Sequence, residues 1–180
     1  MTTLAIVETA RLPRASLHLL TVALAACLLG CEPSLPKEAK VRRVVDGDTI
    51  QLADGRLLRY IGIDAPEVRR RARPGDREWQ AGVGGRWVEA PEPFGIAATD
   101  ANRHLVQGRT VRLEYDVQTH DRFGRLLAYV YVGGAMVNEE LVREGLAEPL
   151  VIRPDVKYAE RFRELADEAR REHRGQWSAR

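Results

Sequence analysis

Cysteine is nearly absent. The 180-residue chain has two, Cys27 and Cys31, both within its first 31 residues. If that leader is removed, the remaining domain can hold no disulfide, no thiolate zinc site and no cysteine nucleophile. Aromatic residues are scarce at 6%, which argues against a broad platform for stacking bases. No charge sign is in large excess. The 28 basic and 26 acidic residues leave a formal net charge of +2, which excludes a general coat for polyanions. Affinity for nucleic acid would have to come from local arginines. No internal repeat is visible. The uncharged run from Ala15 to Gly30 falls short of the about 20 apolar residues that cross a bilayer as a helix.

Arg11 and Arg14 precede that run, and a basic segment before a short apolar one reads as an export signal. The tetrapeptides Leu24-Ala25-Ala26-Cys27 and Leu28-Leu29-Gly30-Cys31 each resemble the lipobox of bacterial lipoproteins. The first fits the consensus better, and the second leaves a more polar start, Glu32-Pro33-Ser34. The expectation is an export signal of lipoprotein type over residues 1–31, with a lipid on Cys27 or Cys31. A plain cleaved signal and a Cys27–Cys31 disulfide are the alternatives. Residues 32–40, with Pro33, Pro36 and mixed charge, read as a tether. Residues 41–178 read as one domain, expected to be monomeric and held at the cell envelope, facing the periplasm or the exterior.

Within the domain, Val41–Asp46 reads as a strand, Asp46-Gly47-Asp48 as a turn with Gly47 free to take a positive φ, and Thr49–Ala53 as the returning strand. Asp54-Gly55 signals a second hairpin, with Arg56–Asp64 as the third strand. Val68–Pro93 breaks the pattern: it carries Arg69, Arg70, Arg71 and Arg73, four glycines, and Trp79 and Trp87. Loops of that length are usually functional or mobile. Helical period returns at Phe94–Val106, with Ile96, Ala97, Ala101 and Leu105 on one side and Gly108 past the end. Thr110–Asp116 and Arg125–Val132 read as strands. Asn138 is placed as the cap of a short helix, Glu139–Glu144. Pro154-Asp155 opens a last helix to about Arg171, with Tyr158, Phe162, Leu165 and Ala169 on one face. The element order predicts an α+β fold: a five-stranded OB-type barrel with about three packed helices.

The stretch on which the rest centres is Arg59-Tyr60-Ile61-Gly62-Ile63-Asp64-Ala65-Pro66-Glu67. Strict alternation puts Arg59 on the face opposite Asp64, but strand twist and the turn at Pro66 can bring Arg59, Asp64 and Glu67 to one cleft. Together they offer a hard oxygen ligand, a candidate general base and a fork of N–H donors, which are the parts needed to cut a phosphodiester.

Four segments now stand in order: Asp46-Gly47-Asp48-Thr49, Arg59–Glu67, Asp121-Arg122-Phe123-Gly124-Arg125, and Met136–Val142. This order and spacing, with the closing Gln176-Trp177-Ser178, resembles the staphylococcal nuclease (thermonuclease) family from about Val41 to Ser178. The resemblance implies an OB-type barrel and a calcium-dependent endonuclease acting on DNA and RNA with little sugar or sequence preference. By the same resemblance Asp48 and Asp64 are calcium ligands, with the Ala65 carbonyl as a third; oxygen donors suit that hard cation. Glu67 matches the general base, and Arg59 and Arg125 match two arginines that grip phosphate through bidentate guanidinium donors. Three departures stand out. Ala65 replaces a frequent Thr, Leu150 and Ile152 fall where tyrosines line the nucleotide site, and Val68–Pro93 is longer than in the short secreted forms. The competing reading is a non-catalytic OB-fold module that only binds nucleic acid. Such a module would be free to lose Asp48, Arg59, Asp64, Glu67 and Arg125, all of which are present. A purely structural envelope lipoprotein would leave that set of charges without a purpose.

Overall fold

A computed structural model of the protein describes residues 34–71, 87–89 and 92–178. The expected export signal, both cysteines, and the interior of the Val68–Pro93 segment with Arg73 and Trp79 lie outside the described residues.

The barrel uses strands β1 (Glu38–Val44), β2 (Thr49–Leu52), β3 (Leu57–Tyr60), β7 (Thr110–Glu114) and β8 (Leu126–Val132). Short pieces β4 (Ile63–Asp64), β5 (Arg69–Arg71), β6 (Trp87–Glu89), β9 (Ala135–Met136) and β10 (Glu148–Pro149) complete the strands. Among the described residues three α-helices pack around them: α1 (Gly95–Val106), α2 (Val137–Arg143) and α3 (Ala159–Arg171). Antiparallel pairing runs β3-β2-β1-β7-β8, and β3 then pairs in parallel with β8, Leu58 opposite Leu126 and Tyr60 opposite Ala128. That last pairing closes the sheet and leaves neither β3 nor β8 as a bare edge.

Alternation along the strands sends Ile50, Leu52, Leu58, Val111, Leu126 and Val130 inward, all fully buried. Helix α3 seals one side with Phe162, Leu165 and Ala169, the face expected from its 3.6-residue period. It begins at Ala159, five residues beyond Pro154, because residues 154–158 form a loop whose Asp155 is itself buried.

Several expected details differ. The third strand does not run unbroken to Asp64: it stops at Tyr60 and resumes at Ile63. Gly62 takes φ +80°, and a Cβ there would lie 2.5 Å from Phe162 Cε2, so the break lets α3 close onto the strand. Gly47 turns without a positive φ. Its requirement is space, as described below. Helix α1 buries Gly95, Ala98, Thr99, Asn102 and Val106 and leaves Ile96 58% exposed, so its inner face is displaced from the one read off the apolar residues. Helix α2 starts at Val137 behind Met136, and Asn138 is not its cap. Asn138 is completely buried, with Oδ1 accepting from the Val130 amide (3.0 Å) and Nδ2 donating to the Ile61 carbonyl (2.9 Å). It satisfies the Ile61 carbonyl, which lies in the break of the third strand, and ties it to the Val130 amide of β8.

Candidate active site

The Asp46–Asp48 turn is the first piece. Asp46 Oδ1 accepts from the Asp48 amide at 3.2 Å, an Asx-type closure. A Cβ on Gly47 would sit 2.5 Å from Ala65 Cβ and 2.9 Å from Ala98 Cβ. Only glycine therefore lets the turn press between the Asp64–Ala65 strand end and α1. From α1, Asn102 Nδ2 donates to the Asp46 carbonyl (3.0 Å), and Asn102 Oδ1 accepts from Tyr60 Oη (2.8 Å). The sequence did carry a signal for Asn102: a polar residue on the i, i+4 row between Ala98 and Val106.

Asp48 is only 1% exposed. Its Oδ2 accepts from the Ala65 amide (2.8 Å), and its Oδ1 receives Thr49 Oγ1 (3.1 Å) and Arg59 Nη1 (2.5 Å). Burial pushes the Asp48 carboxyl up to about 8; Arg59 opposes that rise, while Asp46 and Asp64 add to it. The other edge of the Arg59 guanidinium, Nη2, pairs with Asp64 Oδ1. Arg59 thus lies between two carboxylates that the chain brings together from β4 and the Asp46–Asp48 turn. The interruption at Gly62 is what allows Arg59 and Asp64, nominally on opposite strand faces, to meet.

Glu67 follows Pro66 in the loop beyond β4. Its backbone is fixed from across the inserted segment: the Glu92 amide donates to the Glu67 carbonyl (2.8 Å), and Glu92 Oε2 accepts from the Glu67 amide (3.3 Å). A Cβ at Gly95 would lie 2.6 Å from the Glu67 carbonyl oxygen, so the start of α1 seats directly on this residue. The half-buried Glu67 carboxyl is raised above its ordinary value, chiefly by burial and next by Asp46, against the pull of Arg59. Glu92 and Gly95 carry no motif of their own, and sequence reading passed over both.

The Asp121–Arg125 turn supplies the third piece. Asp121 Oδ1 accepts from the Phe123 and Arg125 amides, both at 2.9 Å, and Asp121 Oδ2 pairs with Arg125 Nε at 2.6 Å. Gly124, at φ +78°, closes the turn. Burial acts to raise the Asp121 carboxyl, but these hydrogen bonds outweigh it and hold it below its ordinary value. The exposed Phe123 ring lies under the guanidinium groups of Arg122 (4.8 Å) and Arg125 (5.7 Å).

Arg59, Glu67 and Arg125 line one open cleft of about 690 Å³, together with Arg122, Leu150 and Ile152. Asp48, Asp64 and Ala65 do not form its wall and are joined to it through Arg59. Among the described residues no three acidic, histidine or cysteine side chains gather as a metal cage. A cation is nevertheless suited to this corner. Asp48 and Asp64 already converge on one positive group, all the donors are hard oxygens, and buried Asp48 needs a counter-charge to stay ionised. The Ala65 contact seen here is its amide with Asp48. Arg70 lies on β5, which pairs with β6 through Arg70 opposite Val88.

Fold and site define an OB-type barrel with a charged, anion-receiving cleft, a class that commonly hosts oligonucleotides. Comparison with known proteins narrows this. Residues 57–179 match the family described as Staphylococcal nuclease homologue. A thermonuclease of Staphylococcus hyicus is 39% identical over 142 residues, covering 77% of this chain and 75% of that protein. A thermonuclease of Staphylococcus intermedius is 34% identical over 140 residues, 76% of this chain and 74% of that protein. A prophage-derived endonuclease of Bacillus subtilis is 37% identical over 141 residues, 76% of this chain but 42% of its own length. The chain belongs to the staphylococcal nuclease family.

Proposed function

We propose that the protein is a calcium-dependent endonuclease that hydrolyses phosphodiester bonds in DNA and RNA with little sugar or sequence preference, exported and held at the cell envelope by a lipid on Cys27 or Cys31. The names of its relatives, thermonuclease and endonuclease, support a hydrolytic nuclease. The observation that supports the assignment of residues is the meeting of Arg59 and Glu67 with Arg125, from two segments far apart in sequence, in one cleft.

Glu67 acts as general base. It takes the proton of a water whose oxygen bonds to phosphorus as the phosphorus–oxygen bond to the leaving sugar breaks. Burial raises the Glu67 carboxyl above its ordinary value, which makes its carboxylate a stronger base and suits that task. Arg125, aimed by Asp121, donates to the phosphate oxygens as charge builds on them. Arg59 lines the same cleft and would do the same with its guanidinium free of Asp48 and Asp64. The cation supplies Lewis-acid stabilisation of the phosphate oxygens and would be held by Asp48 and Asp64, with the Ala65 carbonyl as a third donor. The apolar side chains Leu150 and Ile152 form a wall without hydrogen-bonding groups, consistent with weak base discrimination.

Plasmid digestion with calcium and with excess chelator tests this reading. Nicked and linear products with calcium, and intact plasmid with chelator, are expected. Full activity in chelator would remove the metal from the mechanism. Binding without cleavage under both conditions would favour the non-catalytic module.

A further inference from the structure

We propose that Asp116 and Asp155 form a reciprocal clasp that fixes the apolar wall of the cleft relative to the Asp121–Arg125 turn and so sets the affinity for the polynucleotide; this rests on the nuclease reading above. The loop of residues 149–158 carries Leu150 and Ile152. At one end it is tied to the site strand: Pro149 pairs with Ile63, Glu148 with Asp64, and the Leu150 amide donates to the Gly62 carbonyl at 2.9 Å. At its other end it meets the loop that leads into the Asp121–Arg125 turn, and the two loops exchange carboxylates. Asp155 Oδ1 accepts from the Gln118 amide at 2.8 Å, while Asp116 Oδ2 accepts from the Lys157 amide at 3.1 Å and from Tyr129 Oη at 3.1 Å.

Asp155 is 5% exposed, forms no ion pair among the described residues, and lines the same cleft as Arg59 and Arg125. A buried anion in the wall of a site for a polyanion works against substrate binding unless it serves another purpose. The geometry supplies one. The Asp155 amide also donates to the Ile152 carbonyl at 3.1 Å, so a single residue folds the tip bearing Ile152 and pins it to Gln118. The loop is thereby a strap from Gly62–Asp64 to the segment that carries Arg125. Its two anchor points hold Leu150 and Ile152 in the wall of the cleft that Arg59 and Arg125 also line. Asp116 and Asp155 are positioning residues, since neither has a role at the reacting phosphate.

The test compares Asp155→Ala and Asp155→Asn in the purified protein, by steady-state kinetics on one single-stranded DNA and by hydrogen exchange. Asn keeps an acceptor oxygen and removes the charge. Loss of one hydrogen bond predicts that Asp155→Ala raises KM by roughly three- to tenfold with kcat within about twofold, and that the Gln118 and Lys157 amides exchange faster. Asp155→Asn restores both KM and protection. The clasp is refuted if Asp155→Ala lowers only the melting temperature with KM unchanged, or if Asp155→Asn is as impaired as the alanine variant. Exchange at Gln118 does not depend on turnover. Accelerated exchange in a protein whose wild type cleaves no DNA would therefore overturn the nuclease reading while leaving the loop contact itself established.

Discussion

Gly47→Ala puts one methyl group at the most crowded point of the site. The new Cβ would be 2.5 Å from Ala65 Cβ and 2.9 Å from Ala98 Cβ. Both neighbours are first side-chain carbons fixed to backbone, so no rotamer change can make room. The Asp46–Asp48 turn must move outward or α1 must move away. Forced overpacking of this kind costs about 1–3 kcal/mol. For a domain of this size each kcal/mol lowers the melting temperature by roughly 3–5 °C, so a fall of roughly 3–15 °C is expected. Displacing the turn also pulls Asp48 from the Ala65 amide, now 2.8 Å away, and from Arg59, so nuclease activity should fall more steeply than stability. Adding Ala65→Gly removes the nearer of the two clashes. The double variant should therefore melt above Gly47→Ala alone, despite the glycine it gains. Thermal unfolding and plasmid nicking on the same preparations measure both effects. A Gly47→Ala protein that melts within 1 °C of the parent and cleaves normally would show that the turn is not wedged as described.

Two further outcomes follow from buried hydrogen bonds. Asn138→Ala leaves the Val130 amide and the Ile61 carbonyl without partners in the core, which should cost about 2–4 kcal/mol and appear as a lower urea midpoint with an unchanged slope. Burial alone would raise the Glu114 carboxyl, but hydrogen bonds from Lys157, Tyr158 and Tyr131 overcome it and bring it to about 2. The folded value lies below the ordinary 4.5, so Glu114 stabilises the fold above about pH 4.5 and loses that contribution as pH falls toward 2. Glu114→Gln should flatten the acid limb of a stability–pH curve in that window and leave its shape above pH 5 alone.

The barrel was legible because its strands are short runs rich in aliphatic and aromatic residues, the first of them separated by Asp-Gly turn signals. The helix face Phe162–Leu165–Ala169 was legible for a similar reason, its 3.6-residue period. What escaped depends on partners distant in sequence. Asn138 has the chemistry of a helix cap and sits where a cap belongs, but its actual partner Ile61 is 77 residues away. The inner face of α1 follows Asn102, which reaches Asp46 and Tyr60, rather than the apolar Ile96. For the candidate site, the motifs identified which residues to examine, and the cleft gathers Arg59, Glu67 and Arg125. They gave no sign that Arg59 would have both edges engaged by Asp48 and Asp64. Nor did they show that Glu67 would be set in place by Glu92, at the far end of the Val68–Pro93 segment, and by Gly95 just after it.

The central claim is that Glu67 takes the proton from the attacking water in a cleft where Arg59 and Arg125 hold the phosphate. Glu67→Gln keeps shape and polarity and removes the base. The most direct test is kcat and KM for this variant beside the parent on one DNA substrate with saturating calcium. Removal of a general base predicts a fall in kcat of about 10²–10⁴-fold with KM little changed. A kcat within a few-fold of the parent would contradict the account and place the catalytic base elsewhere in the chain.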